Sequence, residues 1–203
     1  MTVAHDDARP AGHTRWGRFA VAFVLPMVAA GVVASSLLNG VLAANLSVGG
    51  VPIELSMPRL QGESLGAFGA SAPALDGERQ VATTGIGNAV IDGGLCAAID
   101  VPLPLVGGFT ILIDAPEGRQ ITATSMVLDV SDLDADLTAT ELVIGRDASV
   151  LTEGGVKGPA GTNGIQSDLV TLENVEGTAY SLSAGALTVD GLSLDVAAAG
   201  TRC

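Results

Sequence analysis

Histidine, lysine and aromatic residues are scarce in this chain of 203 residues. The two histidines are His5 and His13, both near the N-terminus, and Lys157 is the single lysine. Aromatic residues make up 3% of the chain. A histidine-dependent catalytic site or a zinc site would lack its usual side chains after residue 13. We therefore predict no catalytic residue, no metal ligand and no cofactor.

Charge is missing from one long run of the sequence. No charged residue occurs between Phe19 and Ile53, and residues 19–44 are almost wholly apolar. A helix needs about 20 apolar residues to cross the hydrocarbon core. Three arginines precede the run and none follows it until Arg59, which places the N-terminus in the cytoplasm. We predict a cytoplasmic tail over 1–18, a transmembrane signal-anchor helix over 19–44 and an extracytoplasmic domain over 45–203.

The same run supports a second interpretation, a cleaved signal peptide. Val41-Leu42-Ala43 has the small-residue pattern of a cleavage site, with Ala44 following. The run is longer than most signal-peptide cores, which favours the anchor. The protein is predicted at the cell membrane as a single-pass protein, or secreted if it is cleaved after Ala43.

Acidic residues dominate beyond the apolar run. After residue 18 there are twenty Asp and Glu residues against six Lys and Arg. Such a domain repels the phosphate backbone of nucleic acids, so we predict no nucleic-acid partner. The bilayer is the predicted partner of the apolar run.

The two cysteines, Cys96 and Cys203, both follow the apolar run. In an oxidising compartment, two cysteines far apart in sequence indicate one disulfide bond. Two free thiols or a bond to another chain are the alternatives. We predict the intrachain disulfide.

The extracytoplasmic domain is predicted to be all-β from its short runs of Val, Ile, Leu and Thr, which are separated by Gly, Asp and Pro. Residues 108–114 are predicted as one strand and residues 168–197 as three, whereas 70–80 and 145–168 are predicted as loops, the latter a mobile surface loop. With few aromatic residues, the core is aliphatic. These features favour a sandwich or an open jelly-roll-like groove.

One motif resembles the nucleophile elbow of serine hydrolases. Gly62-Glu63-Ser64-Leu65-Gly66 matches G-x-S-x-G, in which the serine needs a base within hydrogen-bond reach. Both histidines lie on the predicted cytoplasmic side of the membrane. Lys157 is a poor substitute, so catalysis at Ser64 is kept only as an alternative.

A run of aspartates, Asp129, Asp132, Asp134 and Asp136, suggests a calcium loop. The EF-hand pattern requires glycine where Leu137 stands and a bidentate carboxylate where Val143 stands. The run therefore fails that pattern and fits strands with their polar positions facing water.

Four segments together resemble a known family: "RWGRFAVAFVLP", "GLCAAIDVPLPLVGGFTI", "LVIGRDASVLTEGGVKGPAG" and "AGALTVDGLSLDV" followed by a C-terminal Cys. The chain is similar over nearly its whole length to an actinobacterial family of domains of unknown function. Its members are often named automatically as cholesterol esterase. The resemblance implies an N-terminal membrane segment and, as a partner, a small multi-pass membrane protein. It supplies no catalytic residues.

Three hypotheses follow. The first is a non-enzymatic binding or scaffolding domain of the cell envelope, with an apolar groove for a lipid ligand. The second is a lipid or sterol ester hydrolase that uses Ser64. The third is an assembly partner of the multi-pass membrane protein, in which small residues of the membrane helix let two helices approach closely.

Overall fold

The computed structural model describes residues 41–46, 50–103 and 107–203, which form antiparallel β-structure almost throughout. The described residues include no helix long and apolar enough to cross a membrane. The predicted tail and residues 19–40 of the predicted membrane helix lie outside them. Residues 41–44, predicted as the end of that helix, belong instead to the first strand. The elements are β1 (Val41–Leu46), β2 (Ile53–Ala74), β3 (Gly77–Asp92), β4 (Leu95–Val101), β5 (Phe109–Ala115), β6 (Ile121–Thr140), β7 (Val143–Asp147), a 3-10 helix (Ala148–Val150), β8 (Asn163–Thr188) and β9 (Ser193–Ala198).

All nine strands belong to a single sheet, so the predicted all-β class is confirmed. The four longest strands pair in a closed circuit, β2 with β3, β3 with β6, β6 with β8, and β8 with β2. Gly69 is opposite Ala82, Ala82 opposite Val130, Val130 opposite Ala179, and Ala179 opposite Ile53. Following these pairs once around the circuit leads from Gly69 back to β2 at Ile53, which is sixteen residues earlier in the strand. Instead of two stacked sheets or an open jelly roll, one sheet coils on itself.

Long strands can coil in this way because a line of bends crosses them. Ser64 on β2, Gly87 on β3, Ser125 on β6 and Gly185 on β8 occupy successive opposite positions. Ser64 and Ser125 have φ values of 59° and 50°, which interrupt an extended backbone. The residues opposite them are glycines, and a Cβ on Gly87 would lie 3.2 Å from the Cβ of Ser64. The glycines on β3 and β8 leave room for the bends in β2 and β6.

The inner face of the coiled sheet holds the core, which is aliphatic as predicted. Its fully buried large side chains are isoleucines and valine from β2, β3, β4, β6 and β8, namely Ile53, Ile86, Ile99, Ile121 and Val170. Alternate residues of a strand point to opposite faces, so the intervening polar residues face outward. At one end, β4, β5 and β9 continue the same inner face from β2 toward the edge of the sheet.

Two predicted boundaries differ from the structure. Residues 70–80 are not a loop, because β2 continues to Ala74, β3 starts at Gly77, and only Leu75 and Asp76 connect them. The three strands predicted over 168–197 are two, β8 and β9. In both places, glycine, serine and proline lie within long strands instead of between short ones.

Candidate functional site

Ser64 lies in the middle of β2, and not at a strand end. Its side chain is half-buried, and the backbone amide of Gly154 donates a hydrogen bond of 2.9 Å to its Oγ. The serine of a nucleophile elbow lies instead on a strand-to-helix turn with an exposed hydroxyl. In this protein, the Ser64 hydroxyl joins the segment that follows β7 to the outer face of the sheet.

Two glycines near Ser64 are explained by the approach of the same segment to the sheet. Gly66 on β2 is paired with Gly85 on β3. A Cβ on Gly66 would lie 2.4 Å from the carbonyl oxygen of Glu153, and one on Gly85 would lie 2.2 Å from that of Gly154. Such distances are shorter than any van der Waals contact, so a side chain at either position would displace the segment. The second glycine of the G-x-S-x-G match thus serves backbone packing, and the first, Gly62, serves the core, where a Cβ would lie 2.8 Å from a side-chain carbon of Ile86.

The prediction of a mobile surface loop over 145–168 is wrong, because residues 145–147 belong to β7, residues 163–168 belong to β8, and the segment between them is packed against the sheet. Ala148, Leu151 and Val156 within it are buried. The amide of Thr152 donates a hydrogen bond of 3.1 Å to Oε1 of Gln166, a buried residue of β8. We call residues 148–162 the covering segment, because they cover the outer face of β2 and β3 around the pair Gly66 and Gly85.

Asp147 organises the start of the covering segment. Its carboxylate accepts hydrogen bonds from the Ser149 hydroxyl (2.6 Å), the Gly161 amide (2.7 Å) and the Ser149 amide (2.9 Å). These donors favour the charged form, so they hold the pKa of Asp147 below its usual value. Because Ser149 and Gly161 stand at opposite ends of the covering segment, the one carboxylate fixes both ends.

An acidic cleft lies on the outer face, where β2, β8 and β6 run side by side. Pairing brings Glu54, Thr178 and Asp132 into one row, and Ser56, Glu176 and Asp134 into the next. The cleft has a volume of about 350 Å³. Its lining is completed by Leu55, Gly177, Arg202 and Cys203.

The C-terminal residues form a wall of this cleft. Cys203 is joined to Cys96 of β4 in a disulfide, the pairing predicted from the sequence, with the two Cα atoms 5.6 Å apart. Arg202 forms an ion pair with Glu54 on β2. Sequence reasoning did not single out Glu54, Glu176 or Arg202, because only the strand register brings them to the aspartates of β6.

The aspartate run is divided among different roles. Asp129 accepts hydrogen bonds from the hydroxyls of Thr83 (2.6 Å) and Ser181 (2.5 Å) on the neighbouring strands. Asp136 accepts one of 2.9 Å from the side-chain amide of Asn174. Asp132 and Asp134 alone reach the cleft. Within the part of the chain that the structure describes, no three His, Cys, Asp or Glu residues are grouped to hold a metal ion.

On the face of the sheet opposite the cleft, the inner face of the second half of β6 is uncovered. Leu60 of β2, Leu172 of β8 and Leu137 of β6 stand opposite one another in one row. Leu60 and Leu172 are 5% and 9% exposed, whereas Leu137 is 57% exposed and Leu133 is 52% exposed. A second uncovered strip lies on β9, where Leu194 and Val196 are 65% and 67% exposed. β9 is an outermost strand of the described sheet, and the second half of β6 has a described partner on one edge only.

The family model described as "Family of unknown function (DUF6230)" matches residues 49–203. The chain therefore belongs to that family. No curated protein and no solved structure matches it.

Proposed function

We propose that this member of a family of unknown function is a non-enzymatic binding or scaffolding domain of the actinobacterial cell envelope. Residues 19–40, the part of the predicted membrane helix that precedes β1, hold it at the outer surface of the cell membrane, with the N-terminus in the cytoplasm. The observation that carries the proposal is the uncovered strip of Leu133 and Leu137 on the inner face of β6, whose outer face carries the aspartates of the acidic cleft. Apolar side chains left exposed together and rimmed by polar residues are typical of a surface that a partner covers.

The surroundings of Ser64 favour a binding role over ester hydrolysis. Its hydroxyl already accepts a hydrogen bond from Gly154. A nucleophilic serine needs a base that accepts its proton. The histidines of the chain precede the apolar run, so the predicted topology places them on the other side of the membrane from Ser64.

Two finer forms of the proposal concern the partner. A lipid in an apolar groove gains little support from the described cleft, because carboxylates and hydroxyls line most of it and would be desolvated by an acyl chain. A protein partner agrees better with apolar and charged groups on the two faces of one strand. The multi-pass membrane protein implied by the family resemblance is one such partner, and recovery of both proteins in one detergent-solubilised complex would support it.

The experiment uses the full chain expressed in an actinobacterial host. Carbonate extraction of membranes is expected to leave the protein in the pellet, as for an uncleaved anchor. Release of a shortened chain into the medium would contradict the anchor and would indicate a signal peptide that is cleaved after Ala43.

Hydrolysis of p-nitrophenyl butyrate tests the enzymatic alternative. We expect the purified chain, Ser64→Ala and the matched control Ser71→Ala to show the same rate as buffer. Ser71 lies on the same strand and is exposed. Hydrolysis that disappears in Ser64→Ala and persists in Ser71→Ala would overturn the non-enzymatic proposal.

A further inference from the structure

The second half of β6 and all of β7 share an uncovered edge. β3 pairs with β6 only as far as Val130, and from Asp132 onward β6 pairs only with β8 among the described strands. β7 then continues alongside β8, with Val143 opposite Gln166. We call residues 131–147 the open edge. Its backbone N–H and C=O groups that point away from β8 can accept another strand.

The open edge has two chemically different faces. Leu133 and Leu137 lie on the inner face, because they stand opposite Gly177 and the buried Leu172 of β8. Asp132, Asp134 and Asp136 lie on the outer face. The neighbouring positions of β8 on that face add Glu176, opposite Asp134, and Glu173, opposite Asp136.

We infer that the open edge binds an extended segment of a partner protein in which apolar residues alternate with lysine or arginine. The segment adds a strand beside β6. Its apolar side chains cover Leu133 and Leu137, and its basic side chains face the carboxylates of the outer face. This inference rests on the binding role proposed above and names the class of partner.

Charge decides between this occupant and a second copy of the chain. Two open edges paired with each other would bring the aspartates of β6 against those of the other copy, and facing like charges destabilise a strand pair. A basic, apolar strand removes the same repulsion and covers the same leucines. The β9 strip is a poorer site, because β9 has six residues and a single acidic one, Asp195.

The probe is a fluorescent peptide of alternating valine and lysine, about ten residues long, which is the length of a typical added strand. It is titrated against the full chain in mild detergent, and the matched peptide has glutamate in place of lysine. We expect the lysine peptide to bind, to bind more weakly as salt rises, and the glutamate peptide not to bind. Equal binding of both peptides, or binding of neither, would overturn the inference.

A matched pair of variants separates the open edge from general attraction to an acidic protein. Leu133→Lys/Leu137→Lys and Leu194→Lys/Val196→Lys add the same charge at side chains of similar exposure. We expect the first variant to weaken binding by at least about tenfold, because lysines would face the apolar side of the peptide, and the second to change it by less than about twofold. Equal losses in the two variants would show that the peptide senses only net charge, which contradicts the inference.

Amide hydrogen exchange locates the bound strand. Slower exchange over 131–147 in the complex is the expected result, with 193–198 unchanged. Protection confined to 193–198 would overturn the open edge as the site while leaving the proposed binding role in place. The hydrolysis assay addresses that role separately, since it does not depend on the peptide.

Discussion

β2 and the second half of β6 are both long strands that pair with β8, yet they meet solvent very differently. β2 has partners on both edges, and the covering segment lies on its outer face. The second half of β6 has a described partner on one edge only. Leu60 and Leu137 stand in one row across β8, yet the first is buried and the second is largely exposed. Burial of these leucines follows from the closure of the sheet, and not from residue type.

The largest expected difference between the two strands is in the free energy of unfolding when each of these two leucines is replaced by alanine. Leu60→Ala removes core side-chain volume and is expected to lower the free energy of unfolding by about 2–5 kcal/mol. Leu137→Ala removes a side chain that is already exposed and should cost less than about 1 kcal/mol. Urea unfolding of the full chain in mild detergent, followed by circular dichroism, measures both. Equal costs would mean that Leu137 is covered in the free protein, which would break the contrast.

Two glycines of β2 give the next largest contrast. Gly66→Ala would place a Cβ against the backbone of Glu153, so the covering segment must move, at a cost of about 1–3 kcal/mol. Gly69→Ala is the control, because no atom lies within 4 Å of its added Cβ. The same unfolding measurement applies, with limited proteolysis of 148–162 as a second readout. Unchanged stability and protease resistance in Gly66→Ala would contradict the close approach.

Ser64→Ala is expected to have a smaller effect. It leaves the buried amide of Gly154 without its acceptor, at a cost of about 1 kcal/mol. Ser71→Ala, on an exposed position of the same strand, should leave the free energy of unfolding unchanged. The difference between the two variants measures how strongly Ser64 holds the covering segment. A difference of zero would mean that the hydroxyl does not stabilise this segment.

Acid should loosen the covering segment. The pKa of Asp147 is lower in the folded protein than in the unfolded chain, so its stabilising contribution is complete above the unfolded value. That contribution is lost as the pH falls through the lowered folded value. The protection of the Gly161 and Ser149 amides against hydrogen exchange, taken relative to the intrinsic rate at each pH between pH 6 and pH 2, measures this loss, and Asp147→Asn should remove the change in protection. Protection that stays constant with pH in the unsubstituted chain would refute the assignment.

The sequence predicts composition-driven features and misses those that depend on register. Aliphatic, β-branched runs correctly predict an all-β domain, and 108–114 is close to β5 (Phe109–Ala115). Glycine and serine in the sequence favour turns, because turns are their commonest use in β proteins. In the folded chain, Ser64, Gly66 and Gly85 lie inside strands, where they provide bends and close approach.

The acidic cleft is harder to predict than the fold class. Asp132 and Asp134 belong to an acidic run that is visible in the sequence, but Glu54 and Glu176 come from distant parts of the chain. Local patterns cannot bring them together, since a shift of one residue in strand pairing would turn every side chain to the other face. Register is set in this protein by bends and bulges that single-sequence patterns do not reveal.

The central position of β8 has a consequence for how the chain assembles. β8 pairs with β1, β2, β6 and β7, and its partner Ile53 precedes Ala179 by more than a hundred residues. Contacts between residues so distant in sequence form late, and they lower the folding rate. Until β8 has been synthesised and has paired, no strand connects β6 to β2, and the apolar faces of β2, β3 and β6 stay exposed. A chain that stops before residue 163 is therefore expected to scatter light as an aggregate and not to form a smaller soluble domain.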